Sequence, residues 1–247
     1  MITLRKLEEL PPRTRARKLL GLLADPHDPA YEAGLVAFCR VWLPEVPEAF
    51  PLTERDRGLL RQSLAAWLGI EAADWDLQAP PDREGGVTRF PFSAYLEDLR
   101  SPFNVGSVVR SAEAYGFEAL YLSPSTPGLQ HPRARRSAMG AEEHLTVTAV
   151  PLAELKARWA GPVFALELGG TEVGRFDFPA AGLVLVGGEE LGLSPEALKW
   201  ADTSAGRVSL PLYGRKASLN VGVAFGVLAA AWTSHSIRVR LREEVER

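Results

Sequence analysis

Cysteine occurs once in the 247 residues, at Cys39, while isoleucine appears three times and asparagine only twice. A lone cysteine excludes an internal disulfide framework and any cysteine-based metal cage, and no metal is expected. No apolar run approaches the ~20 residues of a bilayer-spanning helix. The start, Met1-Ile2-Thr3-Leu4-Arg5-Lys6, lacks the apolar core of a secretory signal. These absences predict a soluble cytoplasmic protein with no membrane partner. A strong charge of either sign is also missing, since 28 basic and 31 acidic side chains leave a formal charge of −3. Apolar residues at 46% and charged residues at 24% are ordinary for a folded globular chain.

The small net charge conceals local imbalance. Near the start, Arg5, Lys6, Arg13, Arg15, Arg17 and Lys18 face only Glu8 and Glu9, and a second basic cluster is His131-Pro132-Arg133-Ala134-Arg135-Arg136. Such patches hold phosphates even on a near-neutral protein, although a solvated helix face carries the same composition.

Residues 1–77 read as a helical domain, accessory or RNA-binding. Apolar residues fall at helical spacing in Arg15–Leu23, Tyr31–Trp42 and Thr53–Leu68, separated by proline clusters. Thr53 followed by Asp56 is a helix-start signal. Residues 78–91 read as a linker, because Gln78-Ala-Pro-Pro-Asp-Arg-Glu-Gly-Gly86 has no apolar period. In residues 92–247 the texture changes. Short Val/Leu runs (94–99, 119–122, 145–150, 163–168, 183–186, 208–210) alternate with helical stretches (105–115, 152–159, 195–200, 218–232). This alternation predicts an α/β domain with a mainly parallel sheet flanked by helices. In such sheets ligands sit beyond the carboxyl ends of the strands.

Three post-strand loops carry polar groups beside glycine. In the first, Arg100-Ser-Pro-Phe-Asn104-Val-Gly106-Ser-Val-Val-Arg110, Asn104 stands where a helix cap is expected. Arg110, two turns on in a small apolar sequence, must pair with a carboxylate or reach an anion. The second is Gly187-Gly188-Glu189-Glu190-Leu191-Gly192-Leu193-Ser194-Pro195. Its adjacent glycines would admit a ligand close to the backbone, and Ser194-Pro195 is a helix start. It has neither the Gly-Lys-Ser/Thr of a P-loop nor the spacing of a dinucleotide fingerprint, so a nucleotide-binding oxidoreductase fits the sequence worst. The third runs from Val208 through Leu210-Pro211 and Gly214 to Ser218-Leu219-Asn220, where Ser218 would cap the last helix.

Taken in order, Asn104-x-Gly106-x-x-x-Arg110-Ser-Ala, Leu-Val-Gly187-Gly-Glu189-x-x-Gly192-Leu193-Ser and Leu210-Pro211-x-x-Gly214-x-x-x-Ser218-Leu219-Asn220-Val resemble the three motifs of the SpoU/TrmH branch of the SPOUT RNA methyltransferases. Arg136-Ser137-Ala-Met-Gly140-Ala141 is similar to the family's small-residue stretch between motifs one and two. The likeness covers roughly residues 93–235, and both asparagines of the chain fall at motif positions. Gly222 stands where the family often has serine, and the first ~75 residues do not resemble the α/β substrate-binding domain of many relatives.

The resemblance implies an α/β domain with a C-terminal trefoil knot, working as a homodimer. It also implies S-adenosylmethionine as cofactor, held largely by backbone groups around Leu166, Glu167, Gly187, Gly188, Leu210 and Leu219. The implied reaction is methylation of a ribose 2′-hydroxyl of transfer or ribosomal RNA. Arg110, Asn104, Glu189, Ser218 and Asn220 are the implied catalytic set. A guanidinium stays protonated at ordinary pH, so Arg110 is expected to stabilise a developing alkoxide and grip a phosphate rather than act as a base. The alternative is an RNA-binding or assembly factor that keeps the fold without turnover; the intact five-residue set argues against it.

Overall fold

The computed structural model describes residues 2–43, 50–70 and 85–245, which form two compact units. The first holds helices α1 (Leu4–Glu8), α2 (Pro12–Leu22), α3 (Pro29–Cys39) and α4 (Glu54–Leu68). Pro29, from a cluster that reads as a separator, instead occupies the first turn of α3, as Pro12 does in α2. A missing N–H costs nothing there. Thr53 and Asp56 form a capping box: Thr53 Oγ1 accepts from the Asp56 N–H at 3.1 Å, and the Asp56 carboxylate accepts from the Thr53 N–H at 2.9 Å. Leu7, Leu19, Leu35, Leu60 and Leu64 fill the core. Glu32 is buried within it, accepting from the Leu52 N–H at 2.8 Å and pairing with Arg57 at 3.2 Å. Arg15 turns inward, donating to the carbonyls of Glu8 and Leu10 and lying over the Phe38 ring. Arg13, Arg17 and Lys18 remain exposed. Of the expected linker, residues 78–84 lie outside the described residues.

The second unit contains, in chain order, β1 (Phe92–Glu97), α5 (Pro102–Ala114), β2 (Ala119–Leu122), α6 (Pro132–Ala138), β3 (Thr146–Ala149), α7 (Leu152–Arg158), β4 (Val163–Glu172), β5 (Gly182–Gly187), α8 (Pro195–Asp202), β6 (Gly206–Ser209) and α9 (Val221–Val245). The strands make one six-stranded sheet in the order β3-β2-β1-β5-β4-β6, and every pairing is parallel. All carboxyl ends therefore lie along one edge. Alternation along β1 sends Phe92, Ala94 and Leu96 to one face, where they meet Val105 and Val109 of α5 and Phe225 and Trp232 of α9. Tyr95 faces the other way with Leu155 of α7 and Ala197 and Ala201 of α8. Helices thus cover both faces, as the buried strand pattern predicts. Trp232 anchors α9, stacking on Phe92 at 3.9 Å and donating its indole N–H to the Pro179 carbonyl at 2.8 Å.

Two elements depart from the sequence expectation. β4 does not end at Leu168 but continues to Glu172 across a register shift between Leu166 and Thr171, both of which pair with Val208 of β6. Gly169 takes a positive φ of 76° inside this bulge. The last helix begins at Val221 rather than Ser218 and runs on to Val245. Among the described residues no helix is long and apolar enough to cross a membrane.

Candidate functional site

The loops after β1, β5 and β6 meet at the carboxyl edge. Ser101, not Asn104, caps α5: its side chain accepts from the Asn104 N–H, and Pro102 fills the first helical position. Asn104 therefore sits in the first turn, 5% exposed, with its amide free to bond elsewhere. Its Nδ2 donates to Glu189 at 2.6 Å, and its Oδ1 accepts from Asn220 Nδ2 at 3.0 Å. Asn220 Oδ1 accepts from the N–H groups of Gly222 and Val223 at 2.9 and 3.3 Å. Asn220 is thus the cap of α9, the role sequence reading gives Ser218. The network fixes both amide orientations, because a carboxylate can only accept and a helix N–H can only donate.

Glu189 also accepts from the backbone N–H groups of Arg100 and Ser101, at 3.0 and 3.3 Å. An anion at a helix start is favoured by the helix dipole. Desolvation works against the Glu189 charge, but the donors Arg100, Asn104 and Ser101 outweigh it and hold the carboxyl below the usual carboxylate range. A second carboxylate runs the opposite way. Glu97, at the buried end of β1, accepts from the N–H and the hydroxyl of Ser194 at 2.7 and 2.8 Å, while Ser194 caps α8. No local signal in the sequence marks Glu97.

The adjacent glycines are required by the chain's own packing. A Cβ at Gly187 would collide with the backbone of Gly192 and Leu193, and one at Gly188 with the Asp98 carbonyl. Gly188 and Gly192 form a β-bridge, and Gly192 carries a positive φ of 64°. Their bareness admits the chain's own backbone.

Arg110 and Ser218 are not drawn into the Asn104–Glu189–Asn220 network. Arg110 lies exposed on α5, six residues and 240° round the helix from Asn104. It pairs with no carboxylate among the described residues; its Nη1 donates to Met139 Sδ at 2.6 Å. Gly106 sets this contact by bringing α5 against Ala134, Ser137 and Ala138 of α6. Of the second basic cluster, His131 caps α6, Arg135 pairs with Glu142 at 3.6 Å, and Arg133 is exposed. Ser218 is exposed and has no hydrogen-bond partner among the described residues.

Of the expected cofactor positions, Leu166 and Glu167 lead into the β4 bulge, and Gly187 and Gly188 end β5. Leu210 is half-buried and Leu219 is 43% exposed. No hydrogen bond joins residues 210–219 to any described residue. Their main-chain donors and acceptors have no partner among the described residues. Gly222 packs within van der Waals reach of Ser107 on α5, where a Cβ would stand 2.9 Å from the hydroxyl.

Residues 91–230 match the family model described as the SpoU rRNA methylase family. A 23S rRNA (uridine(2479)-2′-O)-methyltransferase of Streptomyces viridochromogenes is 32% identical over 151 residues, covering 57% of this chain and 50% of the relative. A 23S rRNA (guanosine-2′-O-)-methyltransferase of Acinetobacter baylyi is 30% identical over 139 residues, covering 53% and 55%. The chain spans about half the length of the curated relatives it matches. Among solved structures, the SpoU methyltransferase AviRb from Streptomyces viridochromogenes, in complex with the cofactor AdoMet, aligns with a TM-score of 0.53 at 27% identity, over 61% of this chain and 63% of that one. An AdoMet-bound rRNA methyltransferase from Sinorhizobium meliloti shares the fold, with a TM-score of 0.54 at 22% identity over 64% and 61%.

Proposed function

The chain belongs to the SpoU rRNA methylase family, and from that premise we propose that it methylates a ribose 2′-hydroxyl of ribosomal or transfer RNA. One observation carries the reading: Asn104, Glu189 and Asn220, from three separate segments, join in a single hydrogen-bonded network at the carboxyl edge of the sheet. The unpartnered backbone of residues 210–219, which include Leu210 and Leu219, together with Leu166, Glu167, Gly187 and Gly188 at the ends of β4 and β5, suits S-adenosylmethionine, which would supply an electrophilic methyl on sulfonium sulfur. Bound there, it would pass that methyl to the ribose oxygen, leaving a neutral thioether, with the hydroxyl proton released to water. Glu189 and Asn220 hold the Asn104 amide in one orientation. Arg110, permanently charged, stabilises the developing alkoxide and grips the neighbouring phosphate; Ser218 closes on the substrate.

Arg110 projects from a different face of α5 than Asn104, which favours an active site shared across a homodimer. An exposed apolar stripe on α9 supports that assembly: Val223, Val227, Ile237 and Leu241 are each more than two-fifths exposed and recur at spacings that keep one helical face. The chain's course supports the trefoil knot. β6 lies at one edge beside β4, while α9 packs on α5, so residues 210–220 pass between them across the sheet's carboxyl edge. The helical unit, with exposed Arg13, Arg17 and Lys18, serves as an accessory RNA contact, and the work is cytoplasmic.

Tritiated methyl transfer from S-adenosylmethionine to bulk RNA tests the reading. The unmodified chain should label RNA. Arg110→Ala should lose about 10²-fold or more of the rate while keeping cofactor affinity. Labelling by neither protein would favour an RNA-binding factor without turnover.

A further inference from the structure

Tyr213 is 93% exposed. Scattered exposed apolar side chains are normal, but the setting of this ring is not. It lies in residues 210–219, which have neither helix nor strand and no hydrogen bond to any described residue. Both ends of the segment are nevertheless tied down: Ser209 Oγ donates to the Gly170 carbonyl at 2.7 Å, and Asn220 Nδ2 to Asn104 at 3.0 Å. Gly214, Arg215 and Lys216 follow the tyrosine, and neither cation makes an ion pair or hydrogen bond among the described residues. No Asp or Glu stands between Asp202 and Glu243 in sequence, and Asp202 is already paired with Arg207 at 2.6 Å. The loop therefore combines an aromatic face with unneutralised positive charge. Tyr213 and Asn220 stand seven positions apart, a reach of at most about 25 Å even for a fully extended chain.

We propose that Tyr213, Arg215 and Lys216 form a landing site for an unpaired nucleotide of the RNA beside the acceptor ribose. The tyrosine stacks on its base, and the two cations neutralise the flanking phosphates. A base inside a continuous duplex has both faces covered by its neighbours, so the site selects a loop, bulge or single strand. Every base has a π-face, so it does not select base identity. The placement beside the acceptor rests on the proposed function; the stacking itself does not.

The test uses the full chain without cofactor, titrated against a labelled oligouridylate and against the same strand annealed to oligoadenylate. Tyr213→Ala should weaken binding of the single strand about five- to one-hundred-fold, the range of one lost base–aromatic stack, and leave the duplex within about twofold. Tyr213→Trp should keep the affinity. Arg215→Ala and Lys216→Ala should weaken both forms and each lower the slope of log affinity against log salt by about 0.7–0.9. Unchanged single-strand binding in Tyr213→Ala, or equal losses on both forms, would overturn the proposal. So would conversion of a dimer to a monomer by Tyr213→Ala, which would assign the ring to a second copy. Loss of the stacking result with methyl transfer intact removes this inference alone. A stacking result without methyl transfer removes the enzyme reading alone.

Discussion

Glu97 and Ser194, 97 positions apart in sequence, are joined by two hydrogen bonds of 2.7 and 2.8 Å, one to the serine N–H and one to its hydroxyl. Glu189 makes the reverse connection, from the loop after β5 to the N–H groups of Arg100 and Ser101 just ahead of α5. Each of the two central loops thus supplies the carboxylate that holds the start of the other's helix. Neither loop can move without breaking a bond to the other, which keeps Asn104 and the Gly187–Gly192 turn in one register.

Glu97→Ala should therefore loosen the Gly187–Gly192 turn. Removing one partner of a buried hydrogen-bonded pair costs about 1–3 kcal/mol, visible as a lower midpoint in urea unfolding. S-adenosylmethionine affinity should fall with it, while the affinity for RNA stays. Glu97→Gln keeps an oxygen for the Ser194 N–H and should recover most of both losses. Equal behaviour of the two variants would assign the effect to charge rather than to the bonds.

Glu189 predicts an acid limb in the stability profile. Its donors hold the folded carboxyl below the ordinary carboxylate range against the opposing effect of burial. For a depressed folded value the sign is fixed. The stabilisation is fully present above the unfolded carboxylate value and drains away as pH falls through the folded one. Glu189→Gln should flatten that limb of urea midpoint against pH below about pH 4.3, the ordinary glutamate value, and leave the profile near neutrality parallel to that of the unmodified chain. An unaltered acid limb would show that other carboxylates carry it.

The parallel sheet was legible because buried Val/Leu strands between helical stretches admit few other arrangements. The helix caps were not. Ser101-Pro102 carries the same start signal as Ser194-Pro195, yet Asn104 three residues later is an equally good cap by composition, and only the backbone course places it inside the first turn. Ser218 and Asn220 pose the same choice, decided by where α9 begins. Glycine in sequence announces a close approach without saying of what: at Gly187 and Gly188 it is the chain itself. Glu97 has no local signature at all, since its partner comes from another loop.

Two glycines in helices should respond to alanine with opposite signs. At Gly106 a Cβ would collide with Ser137 Oγ and the Ala134 carbonyl, forcing α5 and α6 apart; overpacking of this kind costs about 1–3 kcal/mol. The same shift would carry Arg110 away from Met139, so Gly106→Ala should lower methyl transfer as well as the urea midpoint. Gly58, inside α4, meets nothing within 4 Å, so Gly58→Ala should stabilise by about 0.4–1 kcal/mol. Matching signs for the two variants would refute the packing account.

The helical unit tests whether exposed charge or buried charge serves RNA. α2 contains Arg13, Arg15, Arg17 and Lys18 and no acid. Arg13 stands in the first turn, where a cation opposes the helix dipole, and repels Arg17 one turn on at i,i+4. That arrangement costs stability, a cost that RNA phosphates would offset if the helical unit serves as the proposed RNA contact. Arg15 differs, since its guanidinium is spent on the Glu8 and Leu10 carbonyls and on Phe38. Reversing Arg13 and Arg17 to glutamate should weaken RNA binding and flatten its salt dependence without lowering the urea midpoint. Arg15→Ala should do the opposite, lowering the midpoint with the salt slope intact. A salt slope indifferent to Arg13 and Arg17 would remove the helical unit from the RNA interface and leave recognition to the sheet's carboxyl edge.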